Sequence, residues 1–277
     1  MICIIVGMIR KKPSDFLLLI TNGTRSETVV PNIRRDMKYM GSKNRIAKYI
    51  LPIMLKDRKP DQWWVEPFVG GGNMIDKVSG VRTGGDLNEP LVEALKLIRD
   101  IPETLPDLVT EDDYNLAKKL DNLGLKGYIG FAMSFGGKWF GGYRRDVAGT
   151  KGCMENMKTQ SRRSKQNAIK QSVNLQGVIL QHASYSDMKI PPNSIIYCDP
   201  PYRETTKYNI AFDHYSFYEW CLEKHKEGHT VFVSEYSMPP AFECIWEKEI
   251  NSSLTKDTGS KKGVERLFRV KEVRSNV

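Results

Sequence analysis

The chain has 277 residues, 40% hydrophobic and 27% charged, which gives a folded core and excludes a disordered or low-complexity polypeptide. That length suits one large domain, or a core carrying an inserted lobe. The formal net charge of +9 favours a polyanionic partner, most often nucleic acid.

Five scattered cysteines (Cys3, Cys153, Cys198, Cys221, Cys244) form no C-x-x-C pair, which argues against a disulfide framework or a zinc site and suits a reducing cytoplasm. The four histidines lack ligand spacing, so no metal is expected.

In chain order, Met1–Ile9 is apolar but is followed by Arg10-Lys11-Lys12, the reverse of a signal peptide's charge order. Phe16–Ile20 is too short to span a bilayer, so no membrane segment is expected. Either Met37 is the functional start, or residues 1–36 form a weakly ordered extension.

The segment 37–101 then carries α/β patterning. A helix is expected over Ile46–Leu55 despite Pro52, then a short strand Trp63–Val65, a glycine turn, a helix Met74–Val78 and a strand Val81–Gly85. Asp86 ends that strand, and Pro90–Arg99 predicts a helix with Leu91, Ala94, Leu95 and Ile98 inward. Strand, glycine turn, helix, strand and acid make the first half of a nucleotide-type fold.

Residues 102–189 change character and read as an inserted, mainly helical lobe, with a helix at Glu111–Leu120, a glycine/aromatic block and the basic stretch Lys151–Lys170. The α/β pattern resumes over 190–277. It has a strand at Ile195–Cys198, a helix at Tyr215–Lys226, a strand Thr230–Ser234 that could line the pocket, and an alternating β tail with a turn at Lys256–Gly263.

Asp199-Pro200-Pro201-Tyr202, directly behind the apolar run 194–198, is the most specific motif. The Asp199 carboxylate accepts a hydrogen bond from an amine. The two prolines lock φ and leave carbonyls free to accept, and Tyr202 offers a stacking face. Together they suit a flat base bearing an exocyclic amino group.

The turn Phe68-Val69-Gly70-Gly71-Gly72 lets backbone approach a ligand closely, but it lacks the third spaced glycine of a dinucleotide fingerprint. An adenosine with an amino-acid tail fits it better than a pyrophosphate does. Asp86 stands where doubly wound folds hold ribose hydroxyls, or else caps the helix near Pro90, a role Asn88 also fits. Tyr39 and Lys43, in Lys38–Lys43, are placed to cover an adenosine and pair with a carboxylate.

In Phe135–Arg145 aromatics alternate with glycines and cations. Lys138, Trp139, Tyr143, Arg144 and Arg145, continued by Arg162 and Arg163, read as a DNA-facing surface.

Taken in order, these motifs resemble the Dam-like (D12 class) adenine-specific DNA N6-methyltransferases, often carried by phages. The resemblance runs from about Met37 to Val273, with Tyr39 where many relatives have Trp. It implies a Rossmann-like S-adenosylmethionine-dependent methyltransferase fold with a target-recognition lobe, S-adenosylmethionine as methyl donor, and duplex DNA as partner in a bacterial or phage-infected cytoplasm.

By the same resemblance, Tyr39, Lys43, Glu66, Pro67, Phe68, Gly70, Gly72, Asp86 and Asp199 hold the donor. Asp199, Pro200, Pro201 and Tyr202 hold a flipped adenine and direct transfer to its amine. Two other classes stay open: a cytosine-N4 methyltransferase, which more often carries Ser at the Asp199 position, and a DNA-binding module without catalysis. The target sequence, a restriction partner and the oligomeric state are not encoded legibly.

Overall fold

The computed structural model describes residues 37–145, 154–203, 212–251 and 262–272. The expected N-terminal extension 1–36 and most of the turn expected at Lys256–Gly263 lie outside those residues. The described part opens with helix α1 (Asn44–Met54), whose Ile46, Ala47, Ile50, Leu51 and Met54 are buried at helical spacing. Pro52 sits inside its last turn.

Strand β1 (Trp64–Glu66) enters the glycine turn, and β2 (Arg82–Asp86) follows. Between them the expected helix Met74–Val78 is only a 3-10 turn, Ile75–Lys77. Gly70 and Gly72 both take positive φ, 50° and 71°, so the chain folds back before a helix can start.

Helix α2 (Glu89–Asp100) follows, capped by the Asn88 side chain, which accepts from the Leu91 N–H. In the lobe, α3 (Glu111–Leu116) has a Thr110/Asp113 capping box, and α4 (Leu123–Ala132) is a helix the periodicity did not predict. Its glycines explain that: a Cβ on Gly127 would stand 1.8 Å from the Pro90 carbonyl, so α4 packs backbone to backbone on α2.

The basic stretch becomes α5 (Met154–Leu175), and β3 (Val178–His182) follows. Although expected within the inserted lobe, β3 is a parallel neighbour of β2. The sheet therefore resumes before residue 190.

The chain completes β4 (Ile195–Cys198), α6 (His214–Lys226), β5 (Thr230–Glu235), β6 (Phe242–Asn251) and β7 (Lys262–Val270). The seven strands lie in the order β3-β2-β1-β4-β5-β7-β6, with β7 antiparallel to both neighbours and the rest parallel.

Helices cover both faces, which is why β4 is apolar throughout: Ile195 and Tyr197 join one core and Ile196 and Cys198 the other. Strand order reverses between β1 and β4, and that switch point opens the crevice at their carboxyl ends.

Candidate active site

Two loops leave the sheet at the switch point. From β1 comes Glu66–Asn73 and from β4 comes Asp199–Tyr202, their strands paired through Trp64/Ile195 and Val65/Ile196. Asp86, at the end of β2, turns its carboxylate toward the first loop. Its Oδ2 accepts from the Gly70 N–H at 3.1 Å and its Oδ1 from the Asn88 N–H at 3.0 Å. Asn88 holds the helix cap, so Asp86 is not spent on it.

Burial holds the Asp86 carboxyl above its ordinary range, opposed by those N–H donors. Only partly buried, it keeps lone pairs for hydroxyl donors.

Tyr39 lies directly on the glycine turn: a Cβ on Gly70 would come within 2.8 Å of its ring, and one on Gly71 within 2.6 Å of its Cβ. The turn is also tied to α5, a link that local sequence does not reveal. Gln171, fully buried, donates from Nε2 to the Gly71 carbonyl at 2.9 Å, and its Oε1 accepts the Met37 N–H at 2.9 Å. One amide therefore fixes both the segment at Met37 and the glycine turn.

Glu66, buried at the end of β1, accepts from the Trp64 indole at 2.7 Å, and burial raises its carboxyl well above the usual range. Pro67 is buried beside it, and Phe68 packs into an aromatic cluster with Tyr185, Phe212 and Phe217.

Asp199 is the centre of the second loop. The Lys43 ammonium, only 8% exposed, sits 3.0 Å from Asp199 Oδ1 and 3.8 Å from Glu265 Oε2, and 4.5 Å from the centroid of the Tyr202 ring. The Tyr202 hydroxyl donates to Glu265 Oε2 at 2.8 Å, and its ring meets Tyr236 edge-on at 4.6 Å.

Burial pushes the Asp199 carboxyl up to about 6 against the pull of Lys43, with Glu265 adding to the rise. For Lys43 the burial penalty is outweighed by Asp199 and Glu265, which leave its ammonium above its ordinary value. Glu235, at the end of β5, accepts from the Tyr236 and Arg203 N–H groups and is pushed by burial to about 7.

Glu265 was not among the expected site residues. It lies on β7, and only the insertion of that antiparallel strand beside β5 carries it here.

The lobe sorts the expected DNA-facing residues into two groups. Lys138, Arg145, Arg162 and Arg163 are exposed, Arg145 paired with Glu111. Tyr143 and Arg144 are buried. The Tyr143 hydroxyl donates to the Val109 carbonyl at 2.6 Å, and the Arg144 guanidinium reaches Gln160 and Ser164 at 3.5 Å each.

Trp139 is half-buried against Phe131 and Phe140, with ring centroids at 4.9 and 4.7 Å. Within the block Phe135–Arg145, Phe135 is the aromatic most open to a partner, 64% exposed.

Among the described residues there is no group of three or more His, Cys, Asp or Glu placed to hold a metal ion. Among them, too, no helix is long and apolar enough to cross a membrane.

The strand order with its antiparallel seventh strand is that of a Rossmann-like α/β fold, and the glycine turn, the acid after β2 and the Asp199 loop stand at its switch point. More narrowly, residues 39–123 match the family model of the D12 class N6 adenine-specific DNA methyltransferases. The match takes in Tyr39, Lys43, the glycine turn and Asp86, and stops before Asp199.

A comparison with curated proteins finds no match. Among solved structures, SMU.472, described as a candidate methyltransferase complexed with SAH, aligns at 14% identity and a TM-score of 0.34. The alignment covers 87% of this chain and 56% of that one, so the chain spans little more than half its length.

Proposed function

We propose that the protein is a DNA adenine N6-methyltransferase, taking the methyl of S-adenosylmethionine to the exocyclic amine of an adenine flipped out of duplex DNA. The observation that carries this reading is the adjacency of the glycine turn and Asp199 on neighbouring strands at the switch point.

The residues fit the donor. Asp86 keeps acceptor capacity beside the turn, and the 3-10 turn after it supplies no long helix N-terminus for a phosphate. Lys43 is a cation placed for a carboxylate. Asp199 and Glu265 share that one cation, an excess of negative charge that suits a positively charged donor better than its neutral product.

When bound, S-adenosylmethionine supplies an already activated methyl, so the chain has to orient and not to activate. Asp199 accepts a hydrogen bond from the target amine once Lys43 has released it, and the Pro200 carbonyl is the second acceptor. These two fix the nitrogen, and Tyr202 gives the base a ring to stack on.

Asp199, at about 6, is mostly ionised at neutral pH and so accepts rather than donates. Exposed Lys138, Arg162 and Arg163 supply phosphate contacts, and Phe135 a ring for base contact. Duplex DNA as substrate places the reaction in the cytoplasm of a bacterial or phage-infected cell.

The test is direct. DNA from cells expressing the protein, sequenced with detection of modified bases, should carry N6-methyladenine in one sequence context, absent with Asp199→Ala. Methylcytosine at N4, or no mark at all, would refute the reading.

A further inference from the structure

Glu265 has a placement that its strand does not explain. Its cross-strand partner in the β6–β7 ladder is Lys248, a pairing that ordinarily makes an ion pair. Here the Lys248 ammonium instead lies 3.7 Å from the centroid of the Tyr49 ring.

On the other side Arg266, the next residue, spends its guanidinium on Glu247 and the Tyr236 carbonyl. The Glu265 carboxylate, 12% exposed, turns to the Tyr202 hydroxyl at 2.8 Å and to Lys43 at 3.8 Å. Burying a carboxylate this close to Asp199 costs stability, and Lys43 already has Asp199 at 3.0 Å.

We infer that Glu265 is a positioning residue: it holds the Tyr202 ring through its hydroxyl and receives the Lys43 ammonium when an amine approaches Asp199. The second part follows from the geometry. Lys43 occupies the Asp199 oxygen that the amine needs, and among the described residues Glu265 is the other anion within 4 Å of the same ammonium. A small swing moves the cation without leaving it unpaired in a buried site.

The groups around Asp199 act together. Lys43 comes from the entry to α1, Glu66 from β1, Tyr197 and Cys198 from β4, and Tyr202 from its own loop. Glu235 comes from β5, with Tyr236 behind Lys43, and Glu265 from β7. Glu265 is the negative group that the Asp199 carboxyl feels most.

Only the turnover measurements rest on the functional reading above. The experiment compares full-length wild type, Glu265→Ala and Glu265→Gln, with methyl transfer to unmethylated genomic DNA followed across pH. In parallel, acylation of Lys43 by acetic anhydride is quantified by mass spectrometry in the ligand-free protein.

Glu265→Ala is expected to lower kcat about 100-fold, the scale of a misplaced reacting group, with little change in KM for S-adenosylmethionine. Glu265→Gln keeps an acceptor for Tyr202 and should recover at least about tenfold of that loss. Its acidic limb should lie at lower pH than the wild type's, because Asp199 has lost a like-charged neighbour. Lys43 should be acylated faster in both variants.

Unchanged turnover in Glu265→Ala overturns the proposal. So does a Gln variant as slow as Ala with its limb unmoved and Lys43 labelling unaltered, which is the pattern of a merely structural residue. If wild type transfers no methyl to DNA while Lys43 labelling still responds, the functional reading fails, the handover to an incoming amine fails with it, and only the hold of Glu265 on Lys43 stands. If labelling does not respond either, both fail.

Discussion

Asp199 Oδ1 stands 3.0 Å from the Lys43 ammonium, so the acceptor we propose for an incoming amine is occupied by the chain's own cation. The ligand-free site thus supplies its own donor to Asp199, and binding must exchange one donor for another. Among the described residues Lys43 is the one cation within 4 Å of this buried carboxylate, so its charge state bears on both activity and stability.

Asp199→Asn separates these two consequences. Turnover is expected to fall by at least ~10²–10³-fold, since the amide offers a weaker acceptor and a donor of its own. The folded state holds Asp199 at about 6, above its ordinary 3.8, so the native chain binds the proton more tightly than the unfolded one.

Stability from this group therefore declines as pH rises from about 4 to about 6, then levels off. The Asn variant should melt higher than wild type at pH 8, by an amount on the order of 1–3 kcal/mol. The gain should vanish near pH 4. Calorimetry across that range checks it, and a pH-independent difference would be inconsistent with the raised carboxyl.

Gln171 is the buried link between α5 and the glycine turn. Gln171→Leu keeps the shape but strands the Gly71 carbonyl and the Met37 N–H, at a cost of roughly 1–3 kcal/mol for each buried group left unmade. Affinity for S-adenosylmethionine, read by titration calorimetry, should weaken about tenfold, a loss of ~1.4 kcal/mol. Salt dependence of DNA binding should not change.

Asp86 was read either as a ribose-binding acid or as the cap of α2, and the cap falls to Asn88. Asn88→Ala removes the α2 cap and should cost about 1 kcal/mol of stability with donor affinity intact. Asp86→Ala should weaken donor binding instead. Paired melting and binding measurements test the division, which fails if both variants lose the same property.

The lobe's cations should likewise separate. Replacing Arg162 and Arg163 by Ala should reduce the salt slope of DNA binding by about two, one for each phosphate no longer neutralised. Tyr143→Phe should leave the slope alone and cost about 1 kcal/mol of stability, because its hydroxyl is buried on the Val109 carbonyl. An unchanged slope in the double Arg variant would remove that helix from the interface.

Sequence alone determined the parts with local chemical signatures. The apolar run 195–198 read as a buried strand, and the Asp199–Tyr202 motif behind it emerges at that strand's carboxyl end. The glycine turn and Asp86 read in the same way, and they meet through a hydrogen bond.

Local pattern misled where packing overrides it. The glycines of Leu123–Ala132 conceal a helix because they serve its contact with α2, and Val178–His182 looked like lobe because its exposed residues dilute the strand pattern. Tyr143 and Arg144 have surface chemistry yet lie inside.

Tertiary structure alone decided the company around Asp199. Lys43, Glu235 and Glu265 come from a helix entry and two later strands. Their convergence is a matter of sheet order, and sheet order is a contact between distant segments that no window of sequence contains.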